Sequence, residues 1–122
     1  MISRVAAAIL AVADQDVMAA FFVDRLGFEE VRDAEMWPGA RWLEVAPPGG
    51  GTSVVLSAAK DFDRDPDPAY PMTFDCEDLD ATVAELRAAG LEVGDPATEA
   101  WGRFVQVTDP EGRLLLVKER PR

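Results

Sequence analysis

Hydrophobic and polar residues change their spacing along the first half of the chain, from a short continuous apolar run to a helical stripe. The apolar run at 5–12 predicts a buried strand. Asp14 or Asp16 can cap the helix that follows, because a carboxylate accepts the free N–H groups of a first turn. The stripe of that helix consists of Val17, Met18, Phe21, Phe22 and Leu26. Gly27 predicts a left-handed end to the helix. Three strands are expected next, one beginning at 28–31 and two at 41–45 and 52–57.

The second half of the chain repeats this order of elements. Residues 72–76 predict a strand, and Asp78 can cap a second helix that ends at Gly90. The apolar residues of that helix are Leu79, Val83 and Leu86. Extended structure resumes at Leu91 and Val93. The last two strands are expected at 101–108 and 113–118, with a tight turn at 109–112 between them.

The repeated order predicts a single α+β domain made of two βαβββ modules. Module 1–60 and module 69–122 are joined by an acidic connector that contains several prolines. Each module alone would expose one face of its sheet. We therefore expect the pair to form a curled mixed sheet that encloses a ligand cup.

Composition and charge exclude several classes of protein. The 122 residues are 48% hydrophobic and 29% charged, which is typical of a globular domain. Acidic residues outnumber basic ones by 23 to 12, and the net charge of −11 argues against a nucleic-acid partner. No apolar run is long enough to span a membrane. Arg4 and the apolar run also resemble a short signal peptide, but we favour a buried strand in a cytoplasmic protein.

The same counts restrict the chemistry. With no histidine, the chain cannot form a Ser-His-Asp arrangement or a histidine metal site. Cys76 is the single cysteine, so an internal disulfide is excluded. It lies in an apolar strand with no activating base in its sequence neighbourhood. We therefore expect no catalytic residue of these kinds.

Three segments resemble the vicinal oxygen chelate superfamily, which includes glyoxalases, extradiol dioxygenases and bleomycin resistance proteins. These segments are FFVDRLGFEEV at 21–31, LDATVAELRAAGLEV at 79–93 and WGRFVQVTDPEGRLLLV at 101–117. Together with the repeated module, they extend the resemblance over nearly the whole chain. The resemblance implies the paired-module fold and a homodimer. Whether the cup forms within one chain or across exchanged modules stays open.

Enzymes of that superfamily hold a divalent metal through four side chains, usually His or Glu. By resemblance, the four positions fall on Ala7, Glu44, Pro71 and Leu116. Three of them have no donor atom, and one carboxylate cannot hold a divalent ion in a defined geometry. We therefore expect neither a metal nor another cofactor, as in the metal-free bleomycin resistance proteins.

Tryptophans provide the candidate binding residues, because indole rings stack well on flat ligands. Glu44 shares a strand face with Trp42, and a carboxylate beside an indole suits a cationic aromatic guest. Arg103 is a candidate partner for Glu44 or for an anionic ligand. Core packing and surface exposure remain the alternative roles for these side chains. The predicted ligand-binding residues are Trp37, Trp42, Glu44, Trp101, Arg103 and Leu116.

The hypothesis that follows is a metal-independent protein that sequesters a small cationic or aromatic antibiotic. The first alternative is a glyoxalase-like lyase or isomerase, or a dioxygenase-type enzyme, that works with Glu44 as a base or with an atypical metal site. The second is a structural or regulatory dimer whose cup is filled by its own side chains.

Overall fold

The computed structural model describes residues 1–121, which form two compact units. The first unit is Met1–Pro71 and the second begins at Met72. The first contains β1 (Ala7–Val12), α1 (Gln15–Ala20), β2 (Glu29–Trp37), β3 (Ala40–Ala46) and β4 (Ser53–Ala58). The second contains β5 (Phe74–Cys76), α2 (Leu79–Ala88), β6 (Ala97–Glu99), β7 (Gly102–Thr108) and β8 (Leu114–Glu119). The predicted α+β fold with two βαβββ modules is confirmed. No helix within the described residues is long and apolar enough to cross a membrane.

The expected mixed sheet takes the form of two four-stranded sheets of matching topology. Their strand orders are β1-β4-β3-β2 and β5-β8-β7-β6. In each sheet the first strand of the unit is parallel to the last, and the remaining neighbours are antiparallel. The parallel pairing is possible because a helix and two strands lie between the first and last strands of each unit, and this connection is longer than the dozen residues that a parallel pair requires.

The first helix begins where the sequence indicated but changes form before its end. Asp14 is the cap, since its carboxylate accepts the backbone N–H of Val17 at 3.0 Å. The expected stripe is buried at Met18, Phe21 and Phe22, whereas Val17 is 44% exposed. The α-helix ends at Ala20 and a π-helical turn continues over Phe21–Arg25. Apolar residues spaced about 3.6 positions apart fit an α-helical turn and a π-helical turn equally well over so short a segment.

The core of the first unit lies between α1 and one face of its sheet. The helix contacts β3 and β4. The fully buried strand residues are Leu10, Val12, Leu43, Val45 and Leu56. Because successive side chains point to opposite faces of a strand, Trp42 and Glu44 lie on the other face of β3. We call this second face of the first sheet the open face.

The acidic connector is bound to the first unit along part of its length. A 3₁₀ turn, Ala59–Phe62, follows β4 directly. Asp67 then pairs with Ala11 of β1 in two ways. Its backbone N–H donates to the Ala11 carbonyl at 2.8 Å, and its carboxylate accepts the Ala11 N–H at 2.8 Å. These bonds satisfy backbone groups on the edge strand, where an unpaired ladder would otherwise attract other chains.

The second unit confirms its predicted helix and contains a strand that the sequence did not indicate. Asp78 caps α2 by accepting the N–H of Ala81 at 3.0 Å, and the helix buries the expected residues Leu79, Val83 and Leu86. The missed strand is β6, which pairs with β7 at the sheet edge. All of its residues are exposed, so it has no apolar alternation by which sequence could reveal it.

Candidate functional site

The open face of the first sheet brings two predicted site residues together. Trp42 and Glu44 lie on β3, opposite Ala34 and Arg32 of β2. Directly opposed residues in an antiparallel ladder project from the same face, so all four share the open face. They border a depression of 310 Å³. The residues lining it are Arg32, Ala34, Glu35, Met36, Trp42 and Glu44.

Glu44 is held by two hydrogen-bond donors from its own sheet. The indole Nε1 of Trp42 donates to Oε1 at 2.8 Å. The hydroxyl of Ser53, on β4, donates a short hydrogen bond to Oε2. Nothing in the sequence pattern pointed to Ser53, which is nine positions further along the chain and becomes a neighbour only through the β3–β4 pairing.

These bonds also determine the charge state of Glu44. The Ser53 hydroxyl and then the Trp42 N–H lower the pKa of Glu44 below its usual value. The positive charges of Arg32 and Arg4 lower it further, while burial opposes the shift. At neutral pH the group is therefore a carboxylate, and both of its oxygens already accept a hydrogen bond.

Trp37 lies further along the same face, at the end of the β2–β3 hairpin. It pairs across the ladder with Ala40, which is two residues before Trp42. Its ring meets that of Phe62 edge to face, with centroids 5.7 Å apart. The two side chains are 45% and 51% exposed. Phe62 was not indicated by the sequence because it lies in the connector, outside any periodic segment.

Trp101 and Arg103, two of the other predicted residues, belong to the second unit. Trp101 is 54% exposed and stacks on Phe104, with centroids 4.9 Å apart. Arg103 is held within its own unit by Asp80 at 3.0 Å and Glu119 at 3.8 Å. Its pKa is raised, first by the hydrogen bond from its guanidinium to Asp80. Two carboxylates of the second unit therefore hold the Arg103 guanidinium.

Leu116 lies on β8 and reveals how the two units correspond. It is opposite Gln106 of β7. In the first unit, Glu44 of β3 is opposite Val55 of β4. β8 and β4 have the same place in their sheets. Their residues are matched through Val12 and Cys76, which each lie two positions before a helix cap and pair with Ala58 and Glu119. Three residues before these partners, Leu116 corresponds to Val55, and Gln106 therefore corresponds to Glu44.

This correspondence changes the second of the four positions that the metal-binding superfamily uses. The fourth position falls on Leu116 of β8. The corresponding residue of the first unit is Val55 of β4, so we place the second position there instead of at Glu44. Ala7, Val55, Pro71 and Leu116 all lack a donor atom. Within residues 1–121 no group of three His, Cys, Asp or Glu side chains could hold a metal ion. The residues present therefore do not fit the divalent metal that the fold family implies.

Comparison with known proteins relates nearly the whole chain to one family. Residues 2–117 match the model of the Glyoxalase/Bleomycin resistance protein/Dioxygenase superfamily. The chain is 33% identical to YetH of Bacillus subtilis (strain 168) over 120 residues, which are 98% of this chain and 100% of that protein.

Two solved structures are similar to the chain in both sequence and fold. One is a member of the same superfamily from Sphaerobacter thermophilus, with 30% identity and a TM-score of 0.88. The other is TnmS3, an antibiotic binding protein from Streptomyces sp. CB03234, with 30% identity and a TM-score of 0.83. In both comparisons, 98% of each chain is covered.

Proposed function

The chain belongs to the glyoxalase/bleomycin resistance protein/dioxygenase superfamily, and on that premise we propose that it sequesters a planar aromatic antibiotic without using a metal. One observation carries the proposal. Trp42 presents a partly exposed indole on the open face, and its N–H is held by Glu44 at 2.8 Å. A partly exposed ring whose edge is fixed can stack on a flat ligand without first losing rotational freedom.

The side chains at the four metal-ligand positions support a binding function over a catalytic one. The superfamily's metal reactions use an ion that polarises an oxygen atom of the substrate, and the four equivalent positions here offer no ligand for such an ion. Glu44 is a weak candidate for a general base, because its pKa is lowered and a base works best when its pKa lies near the operating pH. No observation favours a lyase, isomerase or dioxygenase over a binding protein.

The relationship to TnmS3 supports an antibiotic as the ligand class. That protein binds an antibiotic, and it is 30% identical to this chain over 98% of both chains. The exposed aromatic rings of Trp37 and Trp101 support the same proposal, since large apolar side chains left in water favour burial by a ligand or a second copy of the chain. A cytoplasmic homodimer is the assembly we propose.

Binding and chemical conversion can be separated directly. Protein treated with a chelator is titrated calorimetrically with polycyclic aromatic antibiotics, and the bound compound is then recovered and weighed by mass spectrometry. We expect binding without a metal, recovery of the compound at unchanged mass, and a large loss of affinity in Trp42→Leu. A metal-dependent change in the mass of the compound would overturn the proposal.

A control variant distinguishes loss of the stacking ring from loss of the fold. Val31→Ala also shortens a half-exposed apolar side chain of β2, but Val31 does not border the depression. We expect Val31→Ala to bind as the parent does, and Trp42→Leu to unfold cooperatively while failing to bind.

A further inference from the structure

The carboxylate of Glu44 is engaged inside the protein and is poorly placed to serve as the charge that a ligand meets. One oxygen accepts the Trp42 N–H and the other accepts the Ser53 hydroxyl. Hydrogen bonds to an ionised acceptor are about twice as strong as neutral ones. Glu44 therefore acts on a ligand through Trp42, by fixing the orientation of the indole, and is a positioning residue.

An exposed arginine occupies the position opposite Glu44 in the ladder. Arg32 is opposite Glu44 in the ladder, borders the same depression and is exposed. The positive charge of Arg32 contributes to the lowered pKa of Glu44. Arg41, on the neighbouring part of the hairpin, differs because its guanidinium is held by Asp16 at 2.8 Å and Asp33 at 3.1 Å.

Two sources of negative charge, Glu35 and the chain as a whole, could compete with the positive charge of Arg32. Glu35 also borders the depression. It is opposite Arg41 in the ladder, however, and therefore projects from the face of the sheet that carries Arg41 and Leu43, away from the open face. The net charge of −11 attracts cations from a distance. Screening limits that attraction, because the Debye length is about 8 Å at physiological ionic strength. At contact distance, the exposed guanidinium of Arg32 therefore has the stronger effect on which ligand charge is bound.

We propose that Arg32 determines the specificity of the open face, so that the ligand is a planar aromatic compound carrying an anionic oxygen, such as a carboxylate or phenolate. The ring stacks on Trp42, and the oxygen accepts hydrogen bonds from the guanidinium fork, whose geometry matches a carboxylate. This inference rests on the proposed function of the same face. It replaces the cationic guest that Glu44 suggested in the sequence.

Three naphthalene probes that share one ring system test the inference. They are 2-naphthoate, 2-naphthylmethanol and 2-naphthylmethylammonium, which are anionic, neutral and cationic at pH 7. Dissociation constants are measured by calorimetry in a buffer of low ionic strength. We expect naphthoate to bind about tenfold more tightly than the alcohol, which corresponds to about 1.4 kcal/mol. The cation is expected to bind most weakly.

Two arginine variants locate the source of this preference. Arg32→Gln should abolish the advantage of naphthoate over the alcohol. Arg25→Gln is the control, because it removes an exposed arginine from the π-helical turn that follows α1 and does not border the depression. We expect Arg25→Gln to keep the full preference.

The outcomes separate this inference from the function on which it rests. Equal affinity for the three probes, lost in Trp42→Leu, would keep the proposed function and overturn the role of Arg32. Tightest binding of the cation, lost in Glu44→Gln, would also overturn the inference and make Glu44 the contact. Failure of all three probes to bind would overturn both.

Discussion

The indole nitrogen of Trp42 donates a hydrogen bond of 2.8 Å to Glu44, two residues further along the same strand. The hydroxyl of Ser53 from β4 bonds the other carboxylate oxygen. Glu44 thus joins its own strand to the neighbouring one and fixes an aromatic ring on the open face. A residue that resemblance suggested as a metal ligand has a positioning role, and this role can be measured.

Replacing Glu44 with Gln should weaken the first unit without unfolding it. The amide still offers one acceptor but loses the charge that strengthens both hydrogen bonds. We expect the free energy of unfolding to fall by about 1.5–3 kcal/mol, the usual contribution of a hydrogen bond to a charged group. Urea denaturation measures the change. Glu29→Gln, at an exposed position of β2, serves as control and should change stability by less than about 0.5 kcal/mol.

The lowered pKa of Glu44 predicts a pH dependence with a definite sign. Its pKa in the folded state lies below the usual 4.5. The ionised carboxylate therefore contributes its full stabilisation above that pH, and the contribution is lost as the pH falls through the folded-state pKa. The difference in melting temperature between the parent and Glu44→Gln should shrink as the pH is lowered from 6 to 3. A difference that stayed constant would contradict the assignment.

Nuclear magnetic resonance gives a second reading of the same titration. The indole N–H resonance of Trp42 should shift as Glu44 takes up a proton, because that N–H donates to the titrating oxygen. In Glu44→Gln this resonance should stay fixed over the same pH range. The resonances of Trp37 and Trp101 are internal references in both proteins.

Much of the fold could be predicted from the sequence because its signals are local. Asp14 and Asp78 cap their helices as expected, and Gly27 and Gly90 have the positive φ that ends them. Strand β6 was missed because a short exposed edge strand has no apolar alternation. The π-helical turn after α1 was missed because its apolar residues fit helical spacing equally well.

The candidate site was predictable only where its residues share one strand. Trp42 and Glu44 are two positions apart, and period two places them on one face. Ser53 and Arg32 join them through pairing between strands, whose register the sequence does not fix uniquely. For the same reason the sequence could not show that Leu116 corresponds to Val55, because only the ladders match the residues of the two units.

The turn before β8 contains a buried ion pair whose loss should be costly. The guanidinium of Arg113 bonds the Asp109 carboxylate at 3.0 Å, and these side chains are 3% and 0% exposed. Asp109→Asn removes this carboxylate from the buried cation, and Glu111 stays as a counter-ion at 2.8 Å. We expect a loss of about 3 kcal/mol in unfolding free energy. Asp95→Asn, which removes a fully exposed partner of Arg87, should have almost no effect in the same denaturation experiment.

Gly27 should tolerate alanine poorly for a reason confined to its backbone. Its φ is +78°, and an added Cβ would meet no atom within 4 Å. The cost is therefore conformational, and about 1 kcal/mol is expected. Gly49→Ala is a matched control, since a Cβ there also meets nothing and its φ lies outside the left-handed region. Equal stability of the two variants would show that Gly27 does not need its positive φ.

Metal-independent binding of a planar aromatic compound is tested most directly by thermal unfolding of chelator-treated protein. The panel contains divalent ions on one side and polycyclic aromatic antibiotics on the other. A ligand at 100 times its dissociation constant adds about 2.7 kcal/mol, which raises the melting temperature of a domain of this size by roughly 5–15 °C. We predict such a shift with an aromatic compound and none with any ion. A shift produced by a divalent ion alone would contradict the account.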